Sequence, residues 1–209
     1  MHSSSDLDLR IPVPAWIDDI VRDRGALSTP EACMRLAIDL SARNVERGGG
    51  PFGAVIVSGA RVVAAGVNLV TSTGFSLAHA EIIAILRAQR ALAELADAGM
   101  PAPMRPLTLY TSAEPCCQCF GAFVWSGFDA LVCGATREDV EAVGFDEGPK
   151  PENWRETLEV RGMTVLEGVG RARAGAVLEN YAARGGPIYG LRSPLVNPGL
   201  AAPESEGEA

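Results

Sequence analysis

The stretches His79-Ala80-Glu81 and Pro115-Cys116-Cys117-Gln118-Cys119 carry most of the information about the fold of this chain. They supply one imidazole, a Cys-x-x-Cys pair and one carboxylate. A catalytic zinc site takes three protein ligands of these types and leaves the fourth tetrahedral position for water. We therefore predict that His79, Cys116 and Cys119 bind one zinc ion. Glu81 lies two residues beyond the histidine, which suits a proton carrier that does not bind the metal.

A Cys-x-x-Cys pair also occurs as a redox pair or as half of a structural zinc site. A closed structural site needs a fourth ligand, and the sequence offers few. The other histidine is His2, in a Ser-rich terminus, and the remaining thiols show no second ligand-pair spacing. We interpret Cys33 and Cys133 as core thiols, and Cys117 as a packed or shielded thiol that faces away from the metal. The catalytic interpretation is therefore favoured.

The length and composition of the chain indicate one domain with extensions. The chain has 209 residues, 47% of them hydrophobic, which is enough for one sizeable core. We predict a catalytic domain over residues 30–183, an N-terminal extension (1–29) with a short docking helix, and a C-terminal segment (184–209) that ends in an acidic tail. Five cysteines without a signal peptide or a long apolar span favour a reducing interior, so we expect a cytoplasmic protein that does not enter a membrane.

The charge balance restricts the partners. The formal net charge is -8 at pH 7. Nucleic acid binding draws most of its strength from basic patches, so an acidic chain disfavours a polyanionic partner. An acidic surface also aids solubility, which accounts for part of this charge. A small neutral substrate fits the composition better than a nucleic acid.

Hydrophobic periodicity and turn signals predict helices that alternate with strands, which indicates a three-layer α/β domain. Pro115 at a first helical position places Cys116 and Cys119 on one helix face, near the positive end of the helix dipole that favours thiolates. Six helices are predicted: 14–24, one from 30 to the glycines at 48–50, one from 79 to about 99, one that begins at 115, 136–142 and 171–181. Five strands are predicted: 54–57, 61–65, 107–111, 130–134 and 163–166.

Beyond the zinc motif, further blocks of the sequence follow a recognisable order. The blocks are 49–55 (GGPFGAV), Asn68, 79–81 (HAE), 110–112 (YTS), 114–116 (EPC), Trp125 and 144–147 (GFDE). Together they span roughly residues 30 to 189 and resemble the cytidine deaminase-like fold, and within it the small bacterial guanine deaminases. The zinc blocks are shared by many deaminases, so the Gly-Phe-Asp-Glu block is the more discriminating part. Cys117-Gln118 departs from the Pro-Met pair often found between the two cysteines.

The resemblance implies a three-layer α/β/α fold with a central mixed five-stranded sheet, a homodimer, one catalytic zinc ion per chain, and water-dependent conversion of guanine to xanthine and ammonia. It implies that Glu147 accepts hydrogen bonds from guanine and takes part in a second proton transfer. It further implies that the C-terminal segment closes over an active site. The implied substrate contacts are stacking on Phe52, a hydrogen bond from Asn68, a pocket wall at Trp125 and a lid contact at Tyr189.

Plainer roles fit some of these residues as well. Phe52 and Trp125 also suit core aromatics, Asn68 suits a turn, and Glu147 suits a loop charge beside a glycine. Backbone N–H groups near Ala80 and Cys116 are further candidates for holding substrate or developing charge.

Three functions from different classes remain open at this point. The first is a small-molecule deaminase acting on guanine, with guanosine, cytosine or ammeline as rival substrates. The second is a tRNA adenosine deaminase, which shares the zinc motifs but needs a basic surface. The third is a non-catalytic module that zinc stabilises. The charge balance disfavours the second function, and the presence of Glu81 disfavours the third.

Overall fold

The computed structural model of the protein describes residues 10–101, 105–190 and 195. Its strands are β1 (Gly53–Ser58), β2 (Arg61–Val67), β3 (Leu107–Ala113), β4 (Ala130–Ala135) and β5 (Thr164–Leu166). They form a five-stranded sheet with the order β2-β1-β3-β4-β5. Strand β1 runs antiparallel to both of its neighbours, and β3, β4 and β5 run parallel, so the predicted mixed sheet is confirmed.

Helices cover both faces of this sheet. They are α1 (Trp16–Arg24), α2 (Pro30–Glu46), α3 (Val70–Thr73), α4 (Ala80–Asp97), α5 (Cys117–Ser126), α6 (Arg137–Ala142), α7 (Trp154–Glu159) and α8 (Arg171–Ala183). Alternate strand residues point to opposite faces, so strands β1 to β4 each contribute to two apolar clusters. Val55 and Tyr110 belong to the cluster shared with α2 and α8, whereas Ile56 and Leu109 belong to the cluster shared with α4 and α5.

Local chemistry explains several element boundaries. The Thr29 hydroxyl accepts a hydrogen bond from the Ala32 N–H at 3.2 Å, and Pro30 occupies the first turn, so α2 begins where the sequence predicts. Gly59 adopts a positive φ of 58° in the two-residue connection between β1 and β2. This conformation suits glycine, and the strands predicted at 54–57 and 61–65 form a hairpin.

Some predicted boundaries are wrong. Helix α5 begins at Cys117, and Cys116 is its extended N-cap residue, so Pro115 does not occupy a helical position. His79 likewise caps α4 and does not belong to it. The short helices α3 and α7 are absent from the sequence prediction, because four and six residues are too few to show a helical period.

The N-terminal docking helix is present as α1, and Ile17 is fully buried against the domain. None of the described helices is long and apolar enough to cross a bilayer. The predicted acidic tail lies outside the described residues.

Gly66 lets strand β2 approach the backbone of α4. A Cβ atom on Gly66 would lie 2.4 Å from the Ala80 carbonyl oxygen and 2.7 Å from the Ala84 nitrogen. Backbone atoms cannot yield as a flexible side chain does, so a methyl group here must push the start of α4 away from the sheet. The same helix start carries His79 and Glu81.

We predict that Gly66→Ala lowers the free energy of unfolding by about 1–3 kcal/mol, because the added methyl group overpacks this contact. The matched control is Gly175→Ala in α8, where no heavy atom lies within 4 Å of the new Cβ. This control is expected to leave stability unchanged or to raise it by about 0.5–1 kcal/mol, since alanine favours a helix over glycine. Urea unfolding measures both. Equal stabilities of the two variants would contradict the close approach.

Candidate active site

Three ligand side chains converge where α4 and α5 begin. The Nδ1 atom of His79 lies 3.5 Å from the Sγ atom of Cys116 and 3.5 Å from the Sγ atom of Cys119. All three ligand atoms lie within 4.8 Å of one another. The two N-cap positions supply His79 and Cys116, and the first turn of α5 supplies Cys119. The predicted ligand set is therefore assembled in one place.

This cluster fits a tetrahedral zinc ion. Bonds of about 2.0 Å to nitrogen and about 2.3 Å to sulfur, at the tetrahedral angle, separate a ligand nitrogen from a ligand sulfur by about 3.5 Å. The observed separations have this value. In the part of the chain that the structure describes, no fourth Cys, His, Asp or Glu joins the group. Three ligands leave one coordination position for a non-protein ligand.

The two thiols of the cluster differ in acidity. The hydrogen bond from the Cys119 thiol, with help from His79, lowers the pKa of Cys116 to about 4. Burial raises the pKa of Cys119 well above its usual value. Burial opposes protonation of His79, but its hydrogen bond to Cys116 outweighs this effect and raises the pKa of the imidazole. Because zinc binds thiolates and neutral imidazole, metal binding releases protons, and the affinity rises with pH.

Glu81 is held beside the cluster without joining it. Its side chain is buried in the first turn of α4. The Thr111 hydroxyl donates a hydrogen bond to Glu81 Oε1 at 3.0 Å, and the Cys119 thiol lies 3.4 Å from Oε2. Burial, together with the charge of Cys116, raises the pKa of this carboxyl. A carboxylate whose pKa is raised takes up a proton more readily than an ordinary carboxylate, as a proton carrier must.

A cavity of about 430 Å³ opens over the cluster. Phe52 stands on one side and meets the Phe145 ring edge to face at 5.1 Å. Tyr189 meets the same Phe145 ring at 5.1 Å. The size suits a small aromatic molecule. The wall includes His79, Glu81, Cys116, Phe52, Phe145, Glu147 and Tyr189.

One carboxylate oxygen of Glu147 is buried without a hydrogen-bond partner among the described residues. The Glu147 side chain is 5% exposed, and this oxygen is Oε2. Burial raises the pKa of Glu147 to about 8, and the nearby negative charge of Cys116 adds to this effect. A bound dication would oppose the shift, because it favours the ionised form. The carboxyl is therefore able to hold or release a proton near neutral pH.

Asn68 lies beside the cavity but does not line it. Its Oδ1 accepts a hydrogen bond from the Val70 N–H at 3.1 Å, which closes a turn, and its Nδ2 has no partner within the described ranges. Asn44 holds its backbone by donating from Nδ2 to the Asn68 carbonyl at 2.8 Å. A Cβ atom on Gly50 would lie 2.0 Å from Tyr189 Oη and 3.0 Å from Asn68 Oδ1. The side chains of Tyr189 and Asn68 therefore both pack closely against the backbone of Gly50.

Two further predicted substrate-binding side chains do not reach the cavity either. Trp125 lies near the end of α5 and is 87% exposed, because it points to solvent and not to the sheet. It does not wall the pocket of its own chain. The Ala80 side chain is fully buried in the apolar cluster between α4 and the sheet. Only its backbone is left to contact a substrate.

Comparisons with known proteins agree with this geometry. Residues 27–135 match the cytidine and deoxycytidylate deaminase zinc-binding region. The match includes His79, Glu81, Cys116 and Cys119. The chain belongs to this deaminase family.

Particular relatives extend the match. The guanine deaminase of Bacillus subtilis is 38% identical over 118 residues, which are 56% of this chain and 71% of that protein. A solved structure of guanine deaminase from Nitrosomonas europaea is 42% identical and superposes with a TM-score of 0.76, covering 88% of this chain and 100% of that chain. A complex of a mutant of the protein NE0047 with 8-azaguanine is 44% identical, with a TM-score of 0.75, covering 84% and 97%. That relative binds a purine base analogue.

Cys117 stays outside the metal cluster, as predicted. Of the two predicted settings, packed or shielded, the structure shows a packed thiol that is half-buried and lines the cavity. A Cβ atom on Gly148 would lie 2.5 Å from its Sγ atom, so the loop that follows Glu147 packs directly on this thiol.

Sequence reasoning missed several residues that shape the site. Thr111 orients Glu81, and the Tyr181 hydroxyl donates to the Pro187 carbonyl at 2.6 Å and so holds the segment that carries Tyr189. Phe145 joins Phe52 and Tyr189. The YTS and GFDE blocks contain two of these residues, but only their positions in space reveal their roles.

We predict that Cys119→Ser abolishes stable zinc binding, because it removes one of three ligands. Cys117→Ser makes the same atomic change two residues away and is expected to keep one zinc ion per chain. Metal analysis by mass spectrometry after dialysis against a weak chelator measures both. Zinc retained by Cys119→Ser, or lost from Cys117→Ser, would contradict the ligand assignment.

Proposed function

We propose that this protein is a zinc-dependent deaminase that converts guanine and water to xanthine and ammonia. The observation that carries the proposal is the buried Glu81 carboxylate beside a three-ligand cluster, in the wall of a cavity large enough to hold a nucleobase. The similarity to two guanine deaminases over most of the domain supports the choice of base.

The reaction needs a proton carrier at a fixed position. Zinc bound by His79, Cys116 and Cys119 would supply the Lewis acidity that makes water nucleophilic near neutral pH. Glu81 takes the proton from the attacking water and returns it to the ring nitrogen next to C2. The hydroxyl group now on C2 then gives its proton to a carboxylate, Glu81 or Glu147, which passes it to the amino group; the bond from C2 to that nitrogen breaks, ammonia leaves, and C2 becomes a carbonyl carbon. Thr111 occupies Oε1, so Oε2 is the oxygen that faces the cluster and carries these protons.

Recognition of guanine fits the remaining polar groups. Guanine presents several N–H donors at the edge that carries its amino group, and the unpartnered Oε2 of Glu147 is an acceptor for one of them. Its raised pKa also suits the second proton transfer that the resemblance implies. Phe52 provides a ring for stacking. The unpartnered Nδ2 of Asn68, which lies beside the cavity, is the candidate donor to an acceptor on the base that the resemblance implies.

The cavity argues against a tRNA substrate. Its described lining includes Glu114, Asp146 and Glu147 but no arginine or lysine. A polyanion needs basic groups around the entrance, and the whole chain carries a net charge of -8. Guanosine, cytosine and ammeline carry no such charge and remain rival substrates for the test below.

Two further expectations belong to this proposal. The homodimer is supported by Trp125, because an aromatic side chain that is 87% exposed is typical of a protein interface. In a dimer this ring would be covered by the partner subunit. The expected cytoplasmic location is supported by five free cysteines, since thiols stay reduced in that compartment.

We predict that mass spectrometry of products detects xanthine from guanine, and at most slow turnover of guanosine, cytosine, adenine and ammeline. Glu81→Gln is expected to keep zinc and to lose activity by at least about 10²-fold, because the amide cannot shuttle the protons. Glu94→Gln on the exposed part of the same helix is the matched control, with wild-type activity. Deamination by Glu81→Gln at the wild-type rate would refute its role, and faster turnover of another substrate would reassign the base.

The C-terminal segment is proposed to act as a lid over the cavity. Tyr189 is 7% exposed and packs on Phe145, and Tyr181 ties down Pro187. Tyr189 lines the cavity, which supports a role for this segment in excluding water from the reaction.

We predict that deletion of residues 184–209 lowers kcat by at least about 10-fold, because the wall at Tyr189 is lost. Deletion of residues 196–209 keeps Tyr189 and serves as the control with unchanged kinetics. Steady-state assays of ammonia release compare the two. An unchanged kcat after deletion of residues 184–209 would show that the segment does not act as a lid.

A further inference from the structure

Lys150 is the only lysine in the chain, since every other basic residue of the sequence apart from the two histidines is an arginine. Its side chain is 1% exposed. Lysine is almost never fully buried unless its charge is paired. The position therefore calls for a specific physical reason.

The ammonium group of Lys150 is enclosed by three partners. It forms an ion pair with the buried Glu114 carboxylate and donates a hydrogen bond to the Pro115 carbonyl at 2.8 Å. It also stands 4.5 Å from the centre of the Trp154 ring, a cation–π distance. An ammonium is compact enough to serve all three partners, whereas a guanidinium is planar and larger.

These contacts join the two loops that form the active site. Pro115 immediately precedes Cys116, and Lys150 follows Glu147 by three residues. The Cys117 N–H donates to the Glu147 carbonyl at 2.9 Å, which is a second link between the same loops. The Lys150 backbone N–H also donates to the Gly148 carbonyl at 2.9 Å and so folds its own loop back on itself.

Stability alone does not account for this arrangement. A buried ion pair is often no more stable than apolar residues of similar volume, because its members lose their hydration. Residues around metal ligands are different, because they fix ligand orientation, and their loss typically costs about 10- to 100-fold in metal affinity or activity. The contact of Lys150 with the carbonyl group before Cys116 belongs to this second kind.

We propose that Lys150 is a positioning residue, which holds the loop that carries Glu147 against the loop that carries Cys116. It acts through Pro115 and Glu114 and does not touch the substrate. The catalytic part of this inference rests on the proposed deamination of guanine, but the effect on the metal does not.

The first test compares Lys150→Met with the double variant Lys150→Met/Glu114→Gln. The single variant leaves the Glu114 carboxylate buried without its counter-charge, so a low melting temperature is expected. The double variant removes both charges and is expected to regain most of that melting temperature. Its kcat with guanine is nevertheless expected to stay about 10- to 100-fold low, with a smaller change in KM, and its zinc is expected to transfer to a chelator at least about 10-fold faster.

Arg155→Met provides the matched control. It removes a basic side chain from the same region, but Arg155 is exposed and pairs only with Glu159 and Glu167 among the described residues. This control is expected to keep wild-type kcat and zinc release. A double variant with wild-type kcat and wild-type zinc release would overturn the proposal. If the wild-type protein fails to deaminate guanine, the proposed function fails, and zinc release still tests Lys150.

The second test uses the unaltered zinc-loaded protein, so it does not depend on the folding of any variant. Because the chain has one lysine, labelling with [¹⁵N]lysine gives one side-chain NMR signal. We expect a visible Nζ signal at neutral pH, since burial slows hydrogen exchange, and a shift of this signal when the larger cadmium ion replaces zinc. The proposal would be overturned by a signal broadened by exchange, as for an exposed lysine. It would also be overturned by an Nζ signal whose chemical shift stays the same when cadmium replaces zinc.

Discussion

The site depends on the side-by-side starts of α4 and α5, which bring one imidazole and two thiols within bonding distance of a single metal ion. Each helix start contributes its N-cap residue, His79 or Cys116, and a residue of its first turn, Glu81 or Cys119. The sheet fixes both starts, because Gly66 admits the backbone of α4 and β3 leads into α5. The metal geometry is therefore a consequence of how two helices pack on one sheet.

Beside the cavity, two buried polar atoms have no hydrogen-bond partner among the described residues. They are Glu147 Oε2 and Asn68 Nδ2. Buried polar atoms usually find hydrogen bonds, so both are available to a bound ligand. The polar groups that only support the site, such as Asn44, Thr111 and Lys150, are by contrast fully engaged.

The sequence predicts much of this arrangement, for physical reasons that differ from residue to residue. The ligand set follows from side-chain chemistry and spacing, and the strands follow from apolar runs between turn signals. Exposure of Trp125 does not follow, because a helix pattern alone does not show which residues the sheet will cover. Neither do the roles of Thr111 and Lys150, since both act through partners that are distant in sequence or on another loop. The composition shows that the chain has one lysine, but only the burial of its side chain in the structure indicates a role for it.

The central claim is a metal ion with three protein ligands and one position open to solvent. X-ray absorption at the zinc edge of the purified, zinc-loaded protein tests it most directly. The account predicts two sulfur atoms at about 2.3 Å, together with two nitrogen or oxygen atoms at about 2.0 Å, one of them exchangeable with added ligands such as azide. A shell of three sulfur atoms, or four ligands that all come from the protein, would contradict it.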